Sequence, residues 1–162
     1  MPVTARVHVG RTDIFGPEGL ASTSTAPLFA YGTLQVPEVA QTLIGRVPDT
    51  RTGELNGWVA APLPGRMYPG LVRDKTRRTP GLVVTGLTAA EWMLFDRFED
   101  EDYALERVTL TDGTDAWAYV WQLDTDPGVW SMSDFRSNFL PQYVDRCAAW
   151  SERDTKHRSI PR

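Results

Sequence analysis

Pro27-Leu28-Phe29-Ala30-Tyr31-Gly32-Thr33-Leu34 reads as a short apolar strand that stops at a glycine and hands over to a helix opening at Pro37. Such a turn leaves the N–H groups of Gly32, Thr33 and Leu34 outside any strand ladder, close to a helix N-terminus that favours negative charge. A pocket for a carboxylate or a developing oxyanion is expected there, although the spacing by itself also fits an ordinary strand-to-helix turn. Pro37 at a first helical position and Gly45 just past Ile44 bracket a short helix carrying Val39, Ala40, Leu43 and Ile44.

Downstream, Leu55 to Ala60 and Tyr68 to Val72 look like strands separated by the turn-rich Pro62-Leu63-Pro64-Gly65. The basic run from Arg73 to Arg78 lies between strands and is read as a solvated turn. Gly81 to Leu87 is apolar on both faces and belongs at the centre of the sheet. Thr88-Ala89-Ala90-Glu91 fits a capping box and starts a helix carrying Trp92, Met93, Leu94, Phe95 and Phe98. At about 100° per residue, Glu99 projects near Trp92 and Phe95, so a carboxylate ends an otherwise apolar face. Desolvation and the adjacent Asp100, Glu101 and Asp102 both act to raise the pKa of a buried acid there. Glu99 is therefore the candidate general acid/base; a helix-terminal carboxylate pointing to water is the competing reading.

Glu106 to Leu110 and Ala116 to Trp121 form a hairpin through Asp112-Gly113. Trp117, Tyr119 and Trp121 share one face, a pattern more often core than ligand platform, which leaves Tyr119 a modest claim on the site. Past Asp126-Pro127-Gly128, a helix opens near Ser131 or Ser133 with Phe135, Phe139, Tyr143, Val144, Cys147 and Trp150, and Pro141 should kink or split it. Residues 1–26 lack sustained periodicity and read as a mobile leader, 27–151 as one domain, and 152–162 as a frayed tail. The order of elements gives an α+β chain, a curved or closed mixed sheet flanked by helices.

At 162 residues, with 41% hydrophobic content and six Trp, the chain suits a single domain with a sizeable core. A net charge of -4 lacks the basic footprint that nucleic acid or anionic membranes demand. No run approaches the roughly 18 apolar residues of a bilayer span, and no signal-peptide core opens the sequence, so a soluble, cytoplasmic protein is expected. One cysteine, Cys147, excludes an internal disulfide, and two histidines, His8 and His157, both in the tails, leave no imidazole for a triad or a zinc site. There is no Walker pattern, G-x-G-x-x-G or CxxC, and no cofactor or metal is implied. Acid/base work then falls to a carboxylate, with Tyr31 or Tyr103 as a possible donor. The oligomeric state is not readable.

Tyr31-Gly32-Thr33-Leu34 after an apolar strand resembles the signature loop of the γ-glutamylcyclotransferase-like family. Tyr68-Pro69-Gly70-Leu71, Val83-Val84-Thr85-Gly86, Phe95-Asp96-Arg97-Phe98-Glu99-Asp100 with Tyr103, and Ala118-Tyr119-Val120 follow in the family's order, nearest its plant avirulence-induced branch. The resemblance covers about Leu28 to Trp150. It implies a small mixed β-barrel with flanking helices, and a pocket between the Tyr-Gly-Thr-Leu loop and a glutamate, here Glu99. It also implies a reaction in which a γ-glutamyl amide cyclises to 5-oxoproline and releases an amine, with Glu99 moving protons. Gly32, Thr33 and Leu34 would then hold the substrate carboxylate or oxyanion, and Tyr31, Tyr103 and Tyr119 would complete the substrate site. One departure stands out: the family's arginine two residues after the tyrosine is Leu105 here, with Arg107 displaced. A non-catalytic module binding a γ-glutamyl group or small acid, and a hydrolase pairing Glu99 with Asp96 or Glu101, are the alternatives.

Overall fold

The computed structural model describes residues 26–159, so nearly all of the leader expected over residues 1–26, His8 included, lies outside the described residues. The elements are β1 (Leu28–Ala30), α1 (Pro37–Ile44), β2 (Asp49–Pro62), β3 (Pro69–Thr85), α2 (Ala89–Phe98), β4 (Tyr103–Thr109), β5 (Asp115–Trp121), α3 (Met132–Asn138) and α4 (Leu140–Ser159), with one 3-10 turn (Thr33–Gln35) between β1 and α1.

Local chemistry accounts for the helix ends. Pro37 opens α1, and Gly45 closes it in the left-handed region at φ 77°, its N–H donating to Gln41 O at 3.0 Å. In α2 the capping box forms in both directions: Glu91 N donates to Thr88 Oγ1 at 3.1 Å and Thr88 N to Glu91 Oε1 at 3.0 Å. The break expected from Pro141 falls at Phe139, which separates α3 from α4.

The five strands form one mixed sheet in the order β2-β3-β1-β5-β4. Its centre is the short strand singled out from the sequence: β1 runs antiparallel to β3 (Phe29 opposite Val83) and parallel to β5 (Leu28 opposite Trp117). Because β1 is only three residues long, β3 passes it and pairs directly with β5 at Leu71 and Val120, which curls the sheet. The α+β class and mixed sheet stand as expected, but the barrel does not close. The outer strands meet at one end, where Thr111 N donates to Glu54 O at 2.9 Å, and no β2–β4 ladder forms among the described residues. A bulge between Asn56 and Trp58 bends β2 beyond that point.

Several boundaries differ from the sequence expectation: β2 begins at Asp49 and not at Leu55, β4 runs from Tyr103 to Thr109 and not from Glu106 to Leu110, and two further differences are larger. The strands expected at Tyr68–Val72 and Gly81–Leu87 are the two ends of the single 17-residue β3, and the basic run lies within it. Arg73 faces Trp58 and Arg78 faces Asn56, so residues 74–77 oppose only Gly57, whose φ of 83° turns the partner strand. The run is largely solvated, as its charge demands, but as an irregularity inside a hairpin. The frayed tail is likewise corrected: α4 continues to Ser159, because Arg97 holds Asp154 through two bonds of 3.0 and 3.1 Å.

Alternation along β1 divides the core. Leu28 and Ala30 face the helices, packing with Val39, Leu43, Trp92, Phe95, Phe135 and Cys147, while Phe29 and Tyr31 face the inside of the curled sheet with Leu55, Leu71, Val83 and Val120. Trp117, Tyr119 and Trp121 share the helix-side core, as their period-2 spacing predicts.

Candidate functional site

Beyond Ala30 the chain leaves the sheet, and residues 31–34 form one wall of a pocket between the end of β1, the start of β3, the C-terminus of α2 and the pocket-facing side of α4. Glu99 lies on the same pocket. It is the C-cap of α2, its N–H donates to Phe95 O at 2.9 Å, and it is half-buried. All five tyrosines of the chain, Tyr31, Tyr68, Tyr103, Tyr119 and Tyr143, line this one cavity.

The phenols brace the walls against each other. Tyr31 Oη donates to Tyr119 O, and Tyr103 Oη to Pro69 O. Thr33 Oγ1 and Tyr143 Oη lie 3.0 Å apart and hydrogen-bond, fixing the turn to α4. Tyr68 Oη donates to Asp100 Oδ2 at 3.1 Å, and Arg66 Nε lies 3.6 Å from the same oxygen. In the 3-10 turn the carbonyl-bonded amides are Gln35 N, to Gly32 O at 3.1 Å, and Val36 N, to Thr33 O at 3.0 Å. The amides of Gly32, Thr33 and Leu34 precede them, at the end of the turn where N–H groups have no intrahelical acceptor. Gly32 also packs closely: a Cβ there would meet Pro69 Cγ at 2.8 Å.

The pocket holds its phenols neutral. Burial, followed by the negative charge of Glu99, pushes Tyr31 and Tyr143 well above the usual phenol range. Tyr103 is raised by burial first, then by its tyrosine neighbour Tyr31 and by Glu99. Burial also pushes the Cys147 thiol up to about 12. These groups therefore act at neutral pH as hydrogen-bonding walls and not as nucleophiles. Above about pH 10 the unfolded chain would lose phenolic protons that the folded chain keeps, so stability falls with pH by about 1.4 kcal/mol per unit for each raised phenol. We expect cooperative alkaline unfolding in which phenolate absorbance and loss of ellipticity coincide. Independent ionisation of Tyr31, Tyr103 and Tyr143 near pH 10 in the folded protein would contradict this reading.

The seven residues nominated from the sequence, Glu99, Tyr31, Gly32, Thr33, Leu34, Tyr103 and Tyr119, all line this pocket. Asp96 and Glu101 are not on its lining; the second carboxylate there is Asp100. Tyr68, Tyr143, Arg146, Trp150 and Arg153 were not nominated. The spacing of the last four, i, i+3, i+7 and i+10, marks one face of a helix and carried the available signal. At the departure from the family pattern, Leu105 is buried in the helix-side core. Arg107 sits 5.0 Å above the Trp117 ring and 3.7 Å from Asp115, outside the pocket lining. Among the described residues no group of three or more His, Cys, Asp or Glu is arranged to hold a metal ion, and no helix is long and apolar enough to cross a membrane.

Comparison with known proteins gives the same family. The family described as "Gamma-glutamyl cyclotransferase, AIG2-like" matches residues 28–136. AIG2-like protein C of Arabidopsis thaliana is 35% identical over 133 residues, 77% of each chain. AIG2-like protein D of the same plant is 33% identical over 134 residues, 77% of this chain and 88% of that one. The solution structure of an Arabidopsis thaliana protein superposes with a TM-score of 0.58 at 28% identity, covering 83% of this chain and 88% of the other. A β1 strand, the Tyr-Gly-Thr-Leu turn and Glu99 all fall inside the matched span, and the chain belongs to the AIG2-like γ-glutamylcyclotransferase family.

Proposed function

We propose that this protein is a γ-glutamylcyclotransferase-type enzyme that converts a γ-glutamyl amine, amino acid or peptide to 5-oxoproline and a free amine. One observation carries the reading: Glu99 and the 31–34 turn, far apart in sequence, line the same pocket. In the proposed reaction the Glu99 carboxylate takes a proton from the substrate's α-ammonium group. The freed amine attacks the γ-carbonyl carbon, closing a five-membered lactam. The former amide C–N bond breaks as Glu99 returns its proton to the departing nitrogen, and the second proton of the attacking nitrogen passes by way of Glu99 to the released amine, leaving a neutral lactam and an ammonium ion. The turn amides stabilise the oxyanion or hold the α-carboxylate, a type of contact worth about 2.7 to 4 kcal/mol per donor when made in the transition state. Attack within one substrate molecule supplies proximity, so no covalent enzyme intermediate is required.

Neutral tyrosines suit this chemistry, because they position polar groups without competing for the γ-carbonyl. The test is a panel of γ-glutamyl compounds incubated with purified protein and assayed for 5-oxoproline. Release of stoichiometric amine and 5-oxoproline from at least one compound is the expected result. Calorimetric binding of the panel with no product would instead make the pocket a binding module for γ-glutamyl groups.

A further inference from the structure

We propose that Arg146 and Arg153, on the pocket-facing side of α4, recognise an anionic group on the leaving amine, so that the preferred substrates are γ-glutamyl amino acids or peptides with a carboxylate on the released portion. This inference rests on the cyclotransferase reading and narrows its substrate class.

Both arginines line the pocket, with Trp150 between them on the same helical face. Seven residues of α-helix separate them by about 10 Å along the axis, enough to follow an extended tail out of the cavity. Both are exposed, whereas Tyr31, Tyr103, Tyr119 and Tyr143 close the inner end. In the proposed pose a γ-glutamyl group, its α-amine at Glu99, occupies the inner part of the cavity, and the leaving amine, which must depart, points to the open mouth. The other cations near the end of α4 are paired locally: Lys156 Nζ lies 3.6 Å from Glu152, and Arg158 Nε 3.1 Å from Asp154. Arg146 instead sits over the Tyr68 ring, 5.8 Å from its centroid, at the pocket wall. Its positive charge and the negative charge of Glu99 act in opposite directions on the same buried Tyr143 and Cys147. The lining therefore carries both carboxylate and guanidinium groups, the signs of charge that a substrate bearing an ammonium and a carboxylate requires.

The experiment compares kcat/KM for γ-glutamyl-alanine and γ-glutamyl-methylamide in the wild type, Arg146→Gln and the Arg146→Gln/Arg153→Gln double variant. It also measures calorimetric affinities of wild type and double variant for glutaryl-alanine and glutaric acid monomethylamide, which lack the α-amine and cannot cyclise. The wild type should favour the alanine compound by about ten-fold or more, and the double variant should compress that ratio to about three-fold or less, with raised salt eroding the wild-type preference. Absence of a wild-type preference, or equal loss on both substrates, overturns the proposal; equal loss would put the arginines on the glutamyl portion. If no compound is turned over, the cyclotransferase reading fails. The tail preference then stands on its own if glutaryl-alanine binds more tightly than the methylamide and the double variant abolishes the difference, and falls if it does not.

Discussion

Glu99→Gln should lower 5-oxoproline formation by about 10²- to 10⁴-fold, the usual contribution of a positioned acid/base group. Glutamine keeps the size and planar shape of the side chain but cannot accept the α-ammonium proton. The substitution should spare the fold, because it leaves the main chain intact, and the N–H of residue 99 caps α2 by donating to Phe95 O at 2.9 Å. The helix itself is held by Trp92 and Phe95, 4% and 2% exposed, and by the Thr88–Glu91 capping box. An unchanged melting temperature with lost turnover, and retained affinity for glutaryl-alanine, is the expected combination. Asp100 provides the contrast, since it lines the same pocket but is engaged by Tyr68 Oη at 3.1 Å and by Asp102 N at 2.9 Å. Asp100→Asn should cost far less than Glu99→Gln. Unchanged turnover in Glu99→Gln would remove residue 99 from the chemistry.

How much of this was legible follows from how local each signal is. Pro37, Gly45 and the Thr88–Glu91 box act within one helical turn, and their elements begin and end where the residues direct. The β1 strand was legible for a different reason: Leu28, Phe29 and Ala30 are apolar without alternation, which suits only a strand covered on both sides. The basic run misled because charge reports solvation and says nothing about hydrogen-bonded pairing; residues 73 and 78 are exposed and still opposite Trp58 and Asn56. The tail misled because its anchor is non-local, Asp154 reaching Arg97 in another helix. The same distinction runs through the pocket. Helical projection put Glu99 beside Trp92 and Phe95, but only the family resemblance set it against Tyr31–Leu34. Tyr143 and Arg146 reach the site by the packing of α4 beside the turn, a docking that helical periodicity alone does not orient.

Gly32→Ala should reduce kcat/KM by about 10²-fold, the scale of losing one oxyanion donor or displacing it by about 1 Å. The φ of Gly32, -127°, lies outside the left-handed region, and the space around it leaves no room for a side chain. The new Cβ would lie 2.8 Å from Pro69 Cγ and 3.0 Å from Pro69 Cδ. A proline ring cannot rotate aside, and Pro69 O accepts the Tyr103 hydroxyl, so yielding there moves a tyrosine of the pocket as well. If the turn yields instead, the amides of Gly32, Thr33 and Leu34 shift away from the substrate, and the Thr33–Tyr143 bond of 3.0 Å is strained. Either path degrades the site. Gly45→Ala is the matched control, because Gly45 has no heavy atom within 4 Å of an added Cβ but a φ of +77°, outside the pocket. It should cost about 1 to 2 kcal/mol of stability and leave turnover at 25 °C intact. Equal kinetic losses in the two variants would mean that Gly32→Ala acts through general destabilisation and not through the cradle.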